Sequence, residues 1–473
     1  MPPEGYGVLG GGGVTHMHPA VACALALVAI LLFSVPRRHL ILVLFAAFFL
    51  TPTDQVVVLG PLHFPSMRVV ILLGWVRLLS MKVSSQYKFL GEGMNGIDKA
   101  ILFMGLTGAV NFVLLFREWG AIINQLGELY TTLGGYFLLR LLIRDEKDVR
   151  QAIRTLAYIA AVIAAIMIVE RVTRHNPYAL LGGGRLAILV ATLEYGNRFR
   201  CWGPFGHAIL AGVFGATLLP IWLGYGWKSG RNRKIAFMGV IAATAMVLCS
   251  NSSTPVMAYV AGVGVLCLWP IRAHMRAVRW GMVLSLIPLQ LSMSNPVWHI
   301  IGRLDFLGGD AWGRELLVDD FFRHFGDWWL LGIKSTAEWG ESMWDLSNQF
   351  VEVGENHGLL PFICFLAILV YAFRYLGIAR KASKGTKNQE WFFWALGAGL
   401  VSNIAGFLGT AYFDQTKLAW YFLLVAISVV TAPFLKKPTR RRESGELGLS
   451  GAEPVVDRSE TTVPSYSRPG LAQ

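Results

Sequence analysis

Residues 206–227 read GHAILAGVFGATLLPIWLGYGW, and after the basic turn KSGRNRK (228–234) a second apolar run follows, IAFMGVIAATAMVLCS (235–250). The first run holds no Asp, Glu, Lys or Arg and reaches the roughly 20 residues that a helix needs to cross a hydrocarbon core. An apolar run, a short basic turn and another apolar run is the signature of a helical hairpin through a membrane.

The pattern repeats along the chain. Hydrophobic residues make up 54% of the 473, charged residues only 15%, and mean hydropathy is +0.51, whereas soluble domains carry roughly 25% charge. Apolar runs predict helices at 17–34, 40–59, 63–80, 98–116, 120–143, 153–170, 206–227, 235–250, 254–269, 280–294, 357–377, 391–411 and 416–434. The expected fold is therefore an all-α, polytopic membrane protein of about 12 to 13 helices. It has a flexible N-terminus (1–16), a membrane domain (17–434) and a disordered cytoplasmic tail (435–473). The start lacks the basic n-region of a signal peptide, so the first run is expected to be a retained helix.

The net charge of +13 is scattered over turns between apolar runs, which argues against a nucleic-acid partner. Arg37 and Arg38, Arg144 to Arg150, Lys228 to Lys234, Arg272 to Arg279, Arg380 to Lys387 and Lys436 to Arg442 fall on alternate connections. The positive-inside rule makes that side cytoplasmic and the localisation a bacterial inner membrane. Two long connections remain outside, at 171–205 and 295–356. No repeat of halves is visible. Four of the five cysteines fall in apolar runs and Cys201 near a loop, so no disulfide framework or zinc spacing follows.

Chemistry is expected in the two outer loops. Arg198 and Arg200, at alternate positions before Cys-Trp-Gly-Pro-Phe-Gly-His, point the same way in an extended segment and suit one anion such as a diphosphate. Arg171 and Arg174 read as helix-flanking headgroup contacts. Arg68, in the first turns of its helix on the same side, is a costly charge unless paired or facing a cavity, or snorkelling to the headgroups. The second loop holds eleven acids, among them Asp345, Glu352 and Glu355, and six tryptophans: Trp298, Trp312, Trp328, Trp329, Trp339 and Trp344. Such aromatics suit an interfacial belt or the apolar faces of sugars. No Gly-x-Ser-x-Gly elbow, His-Glu-x-x-His motif or Walker loop is present, which argues against hydrolases, zinc proteases and nucleotide-driven pumps.

The order Arg200…Gly-Pro-Phe-Gly-His-Ala (203–208), Ser-rich 249–253, Gly313-Arg314, Trp-x-Leu-x-Gly (328–332) and Ser347-Asn348 before Gly358-Leu359-Leu360 resembles the O-antigen ligase and O-antigen polymerase-like membrane proteins. The motifs span about residues 150–380. The resemblance implies a GT-C-like glycosyltransferase that moves a glycan from an undecaprenyl diphosphate carrier to a glycan or lipid acceptor, at the outer face and without a cofactor. It places the diphosphate at Arg200 and Arg314, and the acceptor near Asn348. The histidine that commonly precedes this asparagine is Ser347 here, so Asp345 is the candidate base, with His324 and His357 as rivals. Two other readings remain open: a transporter or flippase of the same lipid-linked glycan, and a non-catalytic subunit working with other polysaccharide-assembly proteins.

Overall fold

The computed structural model describes residues 15–84, 93–181, 199–226, 230–293, 296–299, 311–340, 343 and 347–435. The tail from 436 on, most of the N-terminal segment, Arg198 and Asp345 lie outside the described residues. Thr15 and His16 are described: the His16 backbone exchanges hydrogen bonds with Val56, and the Thr15 hydroxyl accepts from the Val58 N–H.

The chain is a multi-pass helical membrane protein. In order come α1 (Pro19–Ser34), α2 (Arg37–Leu50), a hairpin of β1 (Val56–Leu59) and β2 (Leu62–Pro65), α3 (Ser66–Ser84), α4 (Gly96–Phe116), and α5 (Trp119–Leu129). A π-helical turn, Tyr130–Gly134, joins α5 to α6 (Gly135–Leu142), and α7 (Glu146–Thr173) follows. Then come α8 (Ala208–Gly226), α9 (Gly230–Ser250), α10 (Ser253–Cys267), a 3₁₀ turn (Trp269–His274) and α11 (Met275–Ser292). The second outer loop carries α12 (Ala311–Arg323), α13 (Phe325–Trp328) and α14 (Gln349–His357). The chain then re-enters as α15 (Leu359–Ala382), α16 (Lys387–Phe407) and α17 (Asp414–Leu435).

Among the described residues six helices are long and apolar enough to cross a membrane alone: α4, α7, α8, α9, α15 and α17. α10 and Trp269–Ser292 form a seventh candidate, bent by 76°. The other expected spans are present as helices, but α1 and α2 are short (16 and 14 residues) and α5–α6 is broken by the π turn. Two sequence expectations need correction. The run 40–59 is helical only to Leu50, and 63–65 is strand, because Thr51-Pro52 ends the helix and Gly60-Pro61 turns the β-branched Val56–Val58 back on itself. Gly60, at φ +60°, supplies the conformation that this two-residue hairpin turn needs.

α8 and α17 are the most buried of the six candidate spans and form the centre with α16. A helix that is apolar on all sides belongs in an interior, and close approach is bought by small residues: a Cβ at Gly239 would sit 2.6 Å from the Trp222 ring, and Gly224 packs on Ala395. Polar atoms are satisfied across helices, as where the Ser402 hydroxyl donates to the carbonyls of Ala258 (2.6 Å) and Ala216 (3.2 Å).

The basic turns meet at one end of the bundle. Arg37 pairs with Asp148 at 2.7 Å, Arg154 donates to the Tyr225 hydroxyl, which in turn donates to Asn232, and Arg272 and Arg380 share Glu390. The outer connections meet at the other end: Tyr178 donates to the Leu50 carbonyl, Gln415 to those of Thr51 and Pro204, and Asn348 to that of Leu408. The alternation read from the sequence is thus a physical separation of two ends.

The second outer loop packs as a cap. Leu317, Val318, Phe321, Trp328, Met343 and Val351 form their own buried cluster. It is latched to the top of the bundle by Ile333 N–H to the Glu355 carbonyl (2.7 Å) and Leu359 N–H to the Trp329 carbonyl (2.8 Å). Trp328 is core and Trp298 packs on Phe322, which leaves Trp329 as an exposed indole.

Candidate functional site

A cavity of about 270 Å³ opens at the end of the bundle away from the basic turns, near the lower bound, roughly 300 Å³, of ligand sites. Its apolar wall comes from α4 and α15 (Met104, Ala109, Phe112, Phe365, Ile368), and its polar wall from α5, α14 and α17. Small residues make the space: Gly105, Gly108 and Ala109 line it on α4, and a Cβ at Gly108 would stand 3.2 Å from the His357 ring.

The polar wall is built around Glu128. Its Oε1 lies 3.6 Å from Arg68 Nη2 and its Oε2 3.3 Å from Lys417 Nζ. Arg68 reaches it because Gly127 has no side chain; a Cβ there would fall 2.8 Å from the guanidinium carbon. Arg68 also donates from Nε to the Thr131 hydroxyl (3.0 Å) and from Nη1 to the His63 carbonyl (2.9 Å), so the hairpin and the π turn together aim it. π turns occur often at functional sites, and this one follows Glu128 by two residues. Lys417 stands in the first turn of α17.

Opposite lies α14. The Asn348 carboxamide oxygen caps it, accepting from the Phe350 and Val351 N–H groups, and its Nδ2 donates to Leu408. Gln349 accepts from the Tyr412 N–H through Oε1 and donates to Glu352 through Nε2, which fixes the carboxyl at the cavity wall. Burial raises the Glu352 carboxyl above the usual carboxylate range, and Lys417 works against that rise. One turn on, Glu355 is buried with no hydrogen-bond partner for either oxygen among the described residues, and burial reinforced by Glu352 pushes it up to about 9. Burial and then Lys417 push the His357 imidazole down to about 4, so it stays neutral.

The charged groups are therefore two cations, Arg68 and Lys417, the Glu128 carboxylate between them, and the facing Glu352 carboxyl, which burial raises. Such a wall attracts an anion and offers a proton acceptor beside it.

Of the residues singled out from sequence, His357 lines this cavity, Arg68 stands behind its wall as the ion-pair partner of Glu128, and Asn348 adjoins it as the cap of α14. Arg200 is not in the cavity wall. Its segment is fixed to α7, where the Glu170 carboxylate accepts from the N–H groups of Trp202 (3.2 Å) and Gly203 (2.9 Å). Arg200 lies beside His207, whose imidazole is lowered to about 4 by burial and then by that guanidinium. Arg171 donates to the Phe199 carbonyl at 2.6 Å, a contact to protein where a headgroup contact was expected. The segment also reaches the start of α17: a Cβ at Gly206 would meet Asp414 Oδ2 at 3.3 Å. Arg314 lies half-buried on α12, and His324, stacked on Trp339 and bonded to Asp327 at 3.0 Å, belongs to the cap. Neither lines the cavity.

Sequence reading missed Glu128, Lys417 and the particular importance of Glu352. The signal for the first two was present, since each is an acid or base inside an expected apolar helix and such charges are costly unless functional.

Fold and site together define a polytopic membrane protein with a cavity, at the end away from the basic turns, that is apolar on one side and charged on the other. The chain matches no model of a known protein family and no curated protein.

Proposed function

We propose that this protein is a membrane glycosyltransferase of the O-antigen ligase or polymerase kind, GT-C-like in arrangement. It transfers a glycan from a polyprenyl diphosphate carrier to an acceptor hydroxyl at the periplasmic face of a bacterial inner membrane. The observation that carries this reading is the cavity in which Glu128, Lys417 and Glu352 face an apolar wall of α4 and α15, with Arg68 paired to Glu128 behind them. A lipid-linked diphosphate has the same two-sided chemistry.

In this reading Arg68 and Lys417 hold the diphosphate and stabilise the charge it gains on leaving, and Glu128 holds both cations in place. Glu352 takes the acceptor proton. The acceptor oxygen bonds to the anomeric carbon as the bond from that carbon to the phosphate oxygen breaks, and the electron pair leaves with the diphosphate. A carboxyl raised towards neutrality by burial is suited to this exchange. Asp345, seven residues earlier, is the rival base. Arg200 and Arg314 contribute to the glycan or acceptor path at the outer surface.

Binding tests the anion site directly. Undecaprenyl diphosphate titrated into detergent-purified protein should bind the wild type, and Arg68→Ala or Lys417→Ala should weaken it about ten- to a hundredfold, the worth of a charge-assisted bond. Equal affinity in both variants would remove the cavity as the donor site.

A further inference from the structure

The segment that carries Arg200 is fastened to the outer end of α9. Cys201 donates its backbone N–H to the Cys249 carbonyl at 3.0 Å, the two thiols influence each other electrostatically, and both side chains are buried. The two residues stand 48 positions apart in sequence. A direct N–H to carbonyl bond brings the two backbones as close as a disulfide needs, since a disulfide spans about 4.4 to 6.8 Å between Cα atoms. Cys249 is the penultimate residue of α9, at the end away from the basic Arg231–Lys234 turn. With that turn cytoplasmic, the pair lies in an oxidising compartment, where such thiols are converted to disulfides.

We infer that Cys201 and Cys249 are a covalent modification site, oxidised to a disulfide by a dithiol-disulfide oxidant of the outer compartment, which ties the Arg200 segment to α9. One cysteine thiolate attacks the oxidant's disulfide and releases one of its sulfurs as a thiol. The other cysteine then displaces the second sulfur, so two electrons and two protons pass to the oxidant, which ends as a dithiol. The reaction takes place as the chain folds, before burial closes access. The product is then shielded from reductants by the same packing.

The surroundings show what the bond secures. The Phe199 carbonyl accepts from Arg171 and from Asn251 Nδ2 (3.4 Å), and Glu170 holds the backbone amides of Trp202 and Gly203. The disulfide joins these bonds at their centre and fixes the backbone on which Arg200 and His207 stand. The inference rests on the orientation of the chain and on this contact, and not on the glycan reading.

Counting thiols tests it. Full-length protein is made in a bacterium with an oxidising periplasm, quenched in acid, denatured in detergent and reacted with a mass-tagged maleimide before and after reduction. Of the five cysteines, three should take the tag before reduction and all five after it. Cys201→Ser should take four tags under both conditions. Five tags on the unreduced wild type, or only two on unreduced Cys201→Ser, would overturn the assignment. Because labelling is done on denatured chains, a variant that folds poorly still gives a clear count, and the result is independent of whether any glycan is transferred.

Discussion

Replacing Glu352 by Gln separates proton transfer from binding at the proposed site. The amide keeps nearly the same volume and can still meet Gln349, while Arg68, Glu128 and Lys417 keep their contacts with one another. Donor affinity should therefore change little. The variant loses the group that accepts the acceptor's proton, and general-base catalysis contributes about 10² to 10⁴ in rate, or roughly 3 to 5.5 kcal/mol of barrier at 1.36 kcal/mol per tenfold. The expected result is a kcat lower by that factor with KM within about threefold of wild type. pH supplies a second readout. The base works only when ionised, and burial raises its carboxyl above the usual range, so wild-type kcat should fall on the acid side at a pH above that of an ordinary carboxylate. The residual rate of the variant should lack this limb. The assay is transfer from radiolabelled lipid-linked oligosaccharide in proteoliposomes over a range of pH. A kcat within about twofold of wild type, with the acid limb unchanged, would refute Glu352 as the base and make Asp345→Asn the next variant to measure.

Lys replacing Arg68 should restore donor binding only in part relative to Ala, since the planar fork that meets Thr131, His63 and Glu128 is lost; titration with polyprenyl diphosphate measures it. Asn348→Ala should lower stability by about 1 kcal/mol through loss of the α14 cap, which thermal unfolding in detergent checks. Glu355 is raised from 4.5 to about 9, so the stability it contributes is full below pH 4.5 and is lost as pH rises towards 9, by up to about 1.4 kcal/mol per pH unit; Glu355→Gln should remove that slope. Arg200→Ala and Arg314→Ala should each reduce transfer about ten- to a hundredfold without loss of membrane insertion, and full activity in both would remove the outer arginines from the path.

Much of the fold was legible because a membrane span announces itself by length and polarity. α4, α8, α9 and α17 lie within a few residues of where apolar runs place them, and the basic turns that set orientation meet through contacts such as Arg37 to Asp148. The hairpin was not legible. Val56-Val-Val-Leu59 is as apolar as the helix before it, and only the short breaks at Thr51-Pro52 and Gly60-Pro61 separate a strand pair from a continuing span. The π turn leaves no mark in hydropathy, since its residues Tyr130 to Gly134 differ little from their neighbours in polarity.

The site was legible in part. Arg68 stood out because a charge at that depth needs a partner. Glu128 and Lys417 met the same criterion, but Glu128 is a lone acid inside the run 120–143, and Lys417 stands at the start of the run 416–434, where snorkelling also accounts for it. Their pairing at 3.3 Å joins helices 289 positions apart, which no local pattern reveals. Glu352 was one acid among eleven until α14 placed it on the cavity wall. Cys201 and Cys249 were hidden for the same reason, since the second lies inside an apolar run and only the fold brings it to the first.

In the proposed reaction a glycosidic bond to the diphosphate is broken in the cavity. Purified protein in proteoliposomes, given an undecaprenyl diphosphate-linked oligosaccharide and a glycan acceptor, should release free undecaprenyl diphosphate in step with the elongated product, and the Glu352→Gln protein should not. Movement of the intact lipid-linked oligosaccharide between leaflets with no carrier released would contradict the account and identify a transporter of the same ligand.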